Sequence, residues 1–129
     1  MKSKKRILVV DDDYGIRNIL SRFLLIQGFE VETADNGLEA LEIFTENHFD
    51  AVLTDFQMPG MDGIRLAHQI RKNDPKKLII MMTGNKSISR QEDNLVDHVM
   101  GKPFKLNEIY ALLQSTFEPK VQNCASPYR

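Results

Sequence analysis

Short apolar runs alternate with longer stretches of helical spacing along this chain. Ile7-Leu8-Val9-Val10 is a continuous apolar run ended by three aspartates, the pattern of a strand buried on both faces. Ile16, Ile19, Leu20, Phe23 and Leu24 follow at helical spacing, and Gly28 ends that helix. Phe29–Thr33 alternates apolar and polar residues, as an edge strand does. Asp35 or Asn36 can cap a second helix carrying Leu38, Leu41, Ile43 and Phe44. Ala51–Thr54 reads as a third strand. Asp62 is placed to cap a third helix bearing Ile64, Leu66, Ala67 and Ile70. Leu78–Met82 is a fourth strand, His98–Met100 a fifth, and Leu106 to Phe117 a final amphipathic helix. Residues 85–94 carry Ile88 as their only apolar side chain and give a helix almost no face to bury.

Strands alternating with helices imply parallel βαβ units. The predicted fold is therefore α/β, a doubly wound parallel sheet of five strands with helices on both faces. In such sheets the site lies at the carboxyl ends of the strands. Those ends carry Asp11-Asp12-Asp13, Thr54-Asp55, Thr83-Gly84 and Lys102-Pro103. Clustered carboxylates repel one another and resist joint ionisation, and a hard divalent cation resolves the conflict. Asp55 can then act as a nucleophile that accepts a phosphoryl group, with Lys102 and the Thr83 hydroxyl on the other phosphoryl oxygens. Asp13 and Asp62 read as helix caps. Met81, Met82 and Met100 read as core, whereas Met58 and Met61 lie in the loop beside the site.

The composition narrows the alternatives. At 129 residues, with 42% apolar and 27% charged positions, the chain has the size and make-up of one soluble domain. A net charge of -1 argues against a protein built mainly to hold nucleic acid. No apolar run approaches the roughly 20 residues of a membrane span, and the basic start lacks the apolar stretch of a signal peptide. The single cysteine, Cys124, allows no internal disulfide, which fits a reducing, cytoplasmic setting. Residues 118–129 read as a flexible tail.

Four stretches together resemble the receiver domain of two-component response regulators, the CheY-like fold. They are Ile7–Asp13, Leu53–Gly63, Met82-Thr83-Gly84 and Lys102-Pro103-Phe104. The resemblance covers about Lys5 to Phe117. It implies strand order 2-1-3-4-5. It implies Asp55 as phosphoacceptor, Thr83 as switch hydroxyl, Lys102 as phosphate-pairing lysine and a cis Lys102–Pro103 bond. It also implies Mg²⁺ held by Asp11, Asp12 and Asp55 and by the backbone carbonyl of Gln57, with Asp12 the direct ligand of the acidic pair. The donor would be the phosphohistidine of a sensor histidine kinase or histidine phosphotransfer protein, or a small acyl phosphate. Such a domain catalyses only its own phosphorylation and dephosphorylation, with Gln57 and Asn85 flanking the path of attacking water. The downstream partner is a protein that the sequence does not name.

Two positions depart from the family. Val99 stands where relatives carry an aromatic that swings inward with the switch hydroxyl. The stretch between Thr83 and Lys102 is about three residues shorter than usual, near one helical turn. Together they lead us to expect a response through ordering of residues 85–95. A flavodoxin-like electron carrier would need a phosphate-cradling loop where this chain has three aspartates. A haloacid dehalogenase-type hydrolase would need an aspartate where Gln57 stands. A pseudo-receiver, acting as an unphosphorylated interaction module, is the remaining alternative. The 12 residues after Phe117 are too few for a DNA-binding module, so this chain alone is not expected to bind nucleic acid.

Overall fold

Strand residues of alternating parity build two separate core layers in the computed structural model, which describes residues 4–84 and 95–117. Ile7 and Val9, Ala51 and Leu53, and Ile80 and Met82 face one layer. Leu8 and Val10, Val52, and Ile79 and Met81 face the other. Both faces of the central strands are therefore apolar, as continuous runs require. The elements run β1 (Arg6–Val10), α1 (Tyr14–Ile26), β2 (Glu30–Ala34), α2 (Gly37–Glu46), β3 (Ala51–Asp55), α3 (Gly63–Asn73), β4 (Leu78–Thr83), β5 (His98–Gly101) and α4 (Leu106–Phe117). All strand pairs are parallel, in the order β2-β1-β3-β4-β5. This is the order that the resemblance implied.

Helices α2 and α3 cover one face through Ala40, Phe44, Leu66, Ala67 and Ile70. Helices α1 and α4 cover the other through Leu20, Leu24, Ile109 and Leu113. The three expected caps are in place. The Asp13 carboxylate accepts from the amides of Gly15 and Ile16, Asn36 from Glu39 and Asp62 from Arg65. Each satisfies a donor that a helix start leaves orphaned, typically about 1 kcal/mol per cap.

The structure corrects some details. β2 begins at Glu30, one residue later than the alternation suggests, because Phe29 is buried beside Tyr110 and Phe117. The Phe29 amide still closes on Leu24, and Glu30 makes the first sheet bond, to Lys5. Ile19 and Leu38, assigned to apolar helix faces, are 55% and 64% exposed, so the buried stripes are narrower than spacing suggests. β5 extends one residue further, to Gly101. Met81, Met82 and Met100 are core as expected, and Met58 joins them. The expectations for residues 85–94, for the tail and for Cys124 lie outside the described residues. No helix among the described residues is long and apolar enough to cross a membrane.

One side chain ties the far end of the sheet together. The Arg71 guanidinium on α3 donates to the carbonyls of Leu95 (2.9 Å), Pro75 (3.0 Å) and Lys77 and to the Asp97 carboxylate (3.0 Å). Asp97 in turn accepts from the Ile79 amide at 2.8 Å and returns its own amide to the Ile79 carbonyl. Arg71 thereby joins the end of α3, the start of β4 and the approach to β5. Arg71→Met keeps much of the volume but strips several carbonyls of a charged donor. It should destabilise the domain by about 2–3 kcal/mol. Urea unfolding checks this, and an unchanged midpoint would show that the guanidinium contributes no net stability.

Candidate functional site

Strand register fixes where the acidic residues meet. Val10 pairs with Thr54, so Asp11 and Asp55 stand one step further on neighbouring strands. Asp55 pairs with Met82 on the other side, and Thr83 with Gly101. Three of the predicted residues, Asp11, Asp55 and Thr83, thus arrive at one end of the sheet by register alone. The Lys102 amide donates to the Thr83 carbonyl at 2.7 Å, which sets the lysine over the end of β4. The bond from Lys102 to Pro103 is cis.

From there the lysine reaches both carboxylates. Its Nζ lies 3.1 Å from Asp11 Oδ2 and 3.0 Å from Asp55 Oδ1. Asp11 is fully buried, and Asp55 is 7% exposed. Burial raises the Asp55 carboxyl above its ordinary value, and the nearby charges of Asp11 and Asp12 push the same way. The hydrogen bond and charge of Lys102 pull it down but do not prevail. For Lys102, burial works against the ammonium form, yet its hydrogen bonds and charge pairing with Asp55 and Asp11 outweigh it. The lysine is raised above its ordinary value and stays charged. The charge conflict read from the sequence is therefore eased in part by Lys102 itself.

Backbone and side-chain bonds hold these groups still. Asp11 Oδ1 accepts the Asp13 amide at 2.9 Å, and the Arg17 guanidinium binds the Asp11 carbonyl at 2.8 Å. The Thr54 hydroxyl bonds the Asp55 carbonyl at 3.0 Å. The Phe56 amide bonds Met82 at 2.8 Å. Gly63, the first residue of α3, closes the loop by donating to the Phe56 carbonyl at 2.9 Å. A Cβ on Gly63 would collide with the carbonyl oxygen of Asp55. Arg17 was not singled out in the sequence, and Thr54 and Gly63 were quoted there without a role of their own. Gly63 stands inside the stretch that carries the resemblance, but its role depends on a packing distance that no local pattern encodes.

The carboxylates of Asp11, Asp12 and Asp55 offer oxygens that lie within 4.8 Å of one another. Asp12 is exposed, and with Gln57, Met58, Pro59 and Asp62 it lines a cleft of about 400 Å³. An all-oxygen donor set of two buried carboxylates and one exposed, open to a wet cleft, suits a hard cation that keeps part of its water shell. The residues present thus fit Mg²⁺. Gln57 is exposed on the loop that follows Asp55, where the sequence expects it. Thr83 is 3% exposed at the end of β4, beside the lysine's backbone. Val99 is half-buried opposite Met81 and packs against the α2–α3 core layer. Asn85 lies outside the described residues.

This geometry can be set beside known proteins. The family model for the response regulator receiver domain matches residues 7–114. The regulatory protein AtoC of Escherichia coli (strain K12) is 36% identical over 122 residues, 92% of this chain and 26% of that protein. The response regulator MprA of Mycobacterium sp. (strain KMS) is 38% identical over 113 residues, 85% of this chain and 49% of that one. The chain thus spans about a quarter and about half of the length of these relatives. Among solved structures, the response regulator TrrA of Thermotoga maritima, in complex with Mg²⁺–BeF, superposes with a TM-score of 0.79. It is 36% identical, and the match covers 86% of this chain and 97% of that one. A CheY-like receiver domain of Methanospirillum hungatei gives a TM-score of 0.84 at 29% identity, over 90% and 95% of the two chains. The chain belongs to the response regulator receiver domain family of two-component signalling.

Proposed function

We propose that this domain takes a phosphoryl group onto Asp55 in a Mg²⁺-dependent reaction and that the modified surface around Thr83 and β5 controls binding of a partner protein. The observation that carries this reading is the bridge of Lys102 Nζ to Asp11 and Asp55 at 3.1 and 3.0 Å, beside three converging carboxylates. The donor is the phosphohistidine of a sensor histidine kinase or histidine phosphotransfer protein. An Asp55 oxygen attacks phosphorus, the P–O bond forms and the P–N bond breaks. The freed imidazole nitrogen keeps the bond's electron pair and takes up a proton. The product is an acyl phosphate, and water later attacks its phosphorus, breaks the bond to the Asp55 oxygen and leaves inorganic phosphate and the free carboxylate.

Each residue has a part in this. The backbone of Asp55 is held by the Thr54 hydroxyl and by the close approach of Gly63, and its carboxylate is met by Lys102. Lys102 carries the fixed positive charge against which the transferring oxygens are positioned, and such preorganised charge is the main source of rate in phosphoryl transfer. Thr83, in the neighbouring strand end, is the hydroxyl that follows the new phosphoryl group. Asp11, Asp12, Asp55 and the Gln57 carbonyl would hold Mg²⁺, which when bound neutralises charge on the transferring group. Family membership supports a cytoplasmic site of action. The domain's catalysis is confined to its own phosphorylation and dephosphorylation.

Incubation with acetyl phosphate and Mg²⁺ should add one phosphoryl group, seen as an intact-mass increase. Asp55→Asn and chelation should each abolish it. An unmodified mass under donor excess would favour a pseudo-receiver, and modification at another residue would refute the site. Metal binding has its own readout. Only the folded chain gathers the carboxylates, so Mg²⁺ should raise the melting temperature. The gain is about 2.7 kcal/mol at a hundred-fold excess over the dissociation constant. Asp12→Ala should lose this response while still folding. A parent melting curve that ignores Mg²⁺ would count against the site.

A further inference from the structure

Gly37 opens α2 and supplies nothing to the acidic site, yet it touches the loop that does. It is buried, and a Cβ built on it would lie 2.6 Å from the carbonyl oxygen of Met61 and 2.8 Å from its Cβ. Neither distance is tolerable between packed atoms, so a side chain here displaces the loop or the helix. Met61 belongs to residues 56–62, the stretch that carries Gln57 and walls the cleft beside Asp12.

The helix start cannot yield cheaply. Asn36 caps it at 2.8 Å, the Glu39 carboxylate accepts the Asp35 amide at 3.1 Å, and Ala40 and Phe44 are locked in the core. The loop is held at its other contacts. Met58 is buried in the same layer, Asp62 caps α3, and Gly63 lies against the backbone of Asp55. The approach of α2 to Met61 is a further contact that bears on the height of the loop.

We propose that Gly37 is a positioning residue for the phosphoacceptor site. Its bare Cα lets the loop close down on α2, and this closure places the Gln57 backbone relative to Asp12 and Asp55. The inference rests on the metal-dependent reading of the site given above. It makes α2, which has no member in the site, a determinant of metal affinity.

The test is titration with Mg²⁺ alone, followed by amide NMR shifts of Asp12, Asp55 and Gln57. Alanine has the better helix propensity, so Gly37→Ala gains locally what the collision opposes, and stability alone does not decide the matter. Gly37→Ala should bind Mg²⁺ about tenfold more weakly, as loss of a support to a metal ligand typically does. Leu38→Ala, on the exposed side of the same helix, should bind as the parent does. Met61→Gly removes the opposing Cβ and frees the loop backbone, so the double variant Gly37→Ala/Met61→Gly should regain part of the lost affinity. A parent that does not bind Mg²⁺ refutes the site reading and this inference with it. A parent that binds, with Gly37→Ala binding equally, overturns the positioning role alone. If Gly37→Ala does not fold, recovery of folding in the double variant supports the contact. A double variant that is no better overturns it.

Discussion

Two carboxylates buried side by side at the ends of adjacent strands are the constraint on which this molecule turns. Asp11 is fully buried and Asp55 nearly so, and one ammonium answers both. Burial of an unpaired charge costs several kcal/mol, so the arrangement depends on a third group of opposite sign delivered to the same point. Lys102 is that group. It lies 91 residues from Asp11 in sequence, and only the closed sheet brings the two together. The site is thus a by-product of tertiary structure, and its concentrated charge makes it expensive.

The sheet is what makes the delivery reliable. Because β1, β3 and β4 are apolar on both faces, a one-residue slip would put no strand residue into water. It would instead move Asp11 or Asp55 off the rim. Register is therefore held by other means. Asp13 caps α1 immediately after the acidic pair, Asp62 caps α3 at the end of the loop, and Arg71 and Asp97 secure the opposite end of β4 and β5. The Lys102 amide on Thr83 completes the frame. Each of these bonds is local to a strand end, and together they place a lysine within hydrogen-bond reach of two aspartates.

Most of the fold was legible because its signals are short in range. Continuous apolar runs marked the buried strands, and cap residues marked α1, α2 and α3. The residues at the strand ends were legible too, since topology dictates where they go. Roles that depend on a distance between distant elements were not. Gly63 and Gly37 look like ordinary loop and helix-start glycines until the backbone of Asp55 and the backbone of Met61 are seen against them. Ile19 and Leu38 had the right spacing for a core, but only the packing of neighbours decides how wide a stripe is covered. The sequence also suggested a cation as the answer to the acidic cluster, whereas the structure adds Lys102 as a partner built into the chain.

The most direct test of this account is the thermal unfolding of Lys102→Met with and without Mg²⁺. Removal of the ammonium leaves Asp11 buried without its partner, so the metal-free variant should be about 3–5 kcal/mol less stable than the parent. On the proposed metal-dependent reading, Mg²⁺ supplies charge to the same carboxylates, so it should restore a large part of that loss, with a greater stabilisation than it gives the parent. A metal-free variant as stable as the parent, or a loss that Mg²⁺ leaves untouched, would contradict the claim that one cation resolves the buried acidic pair.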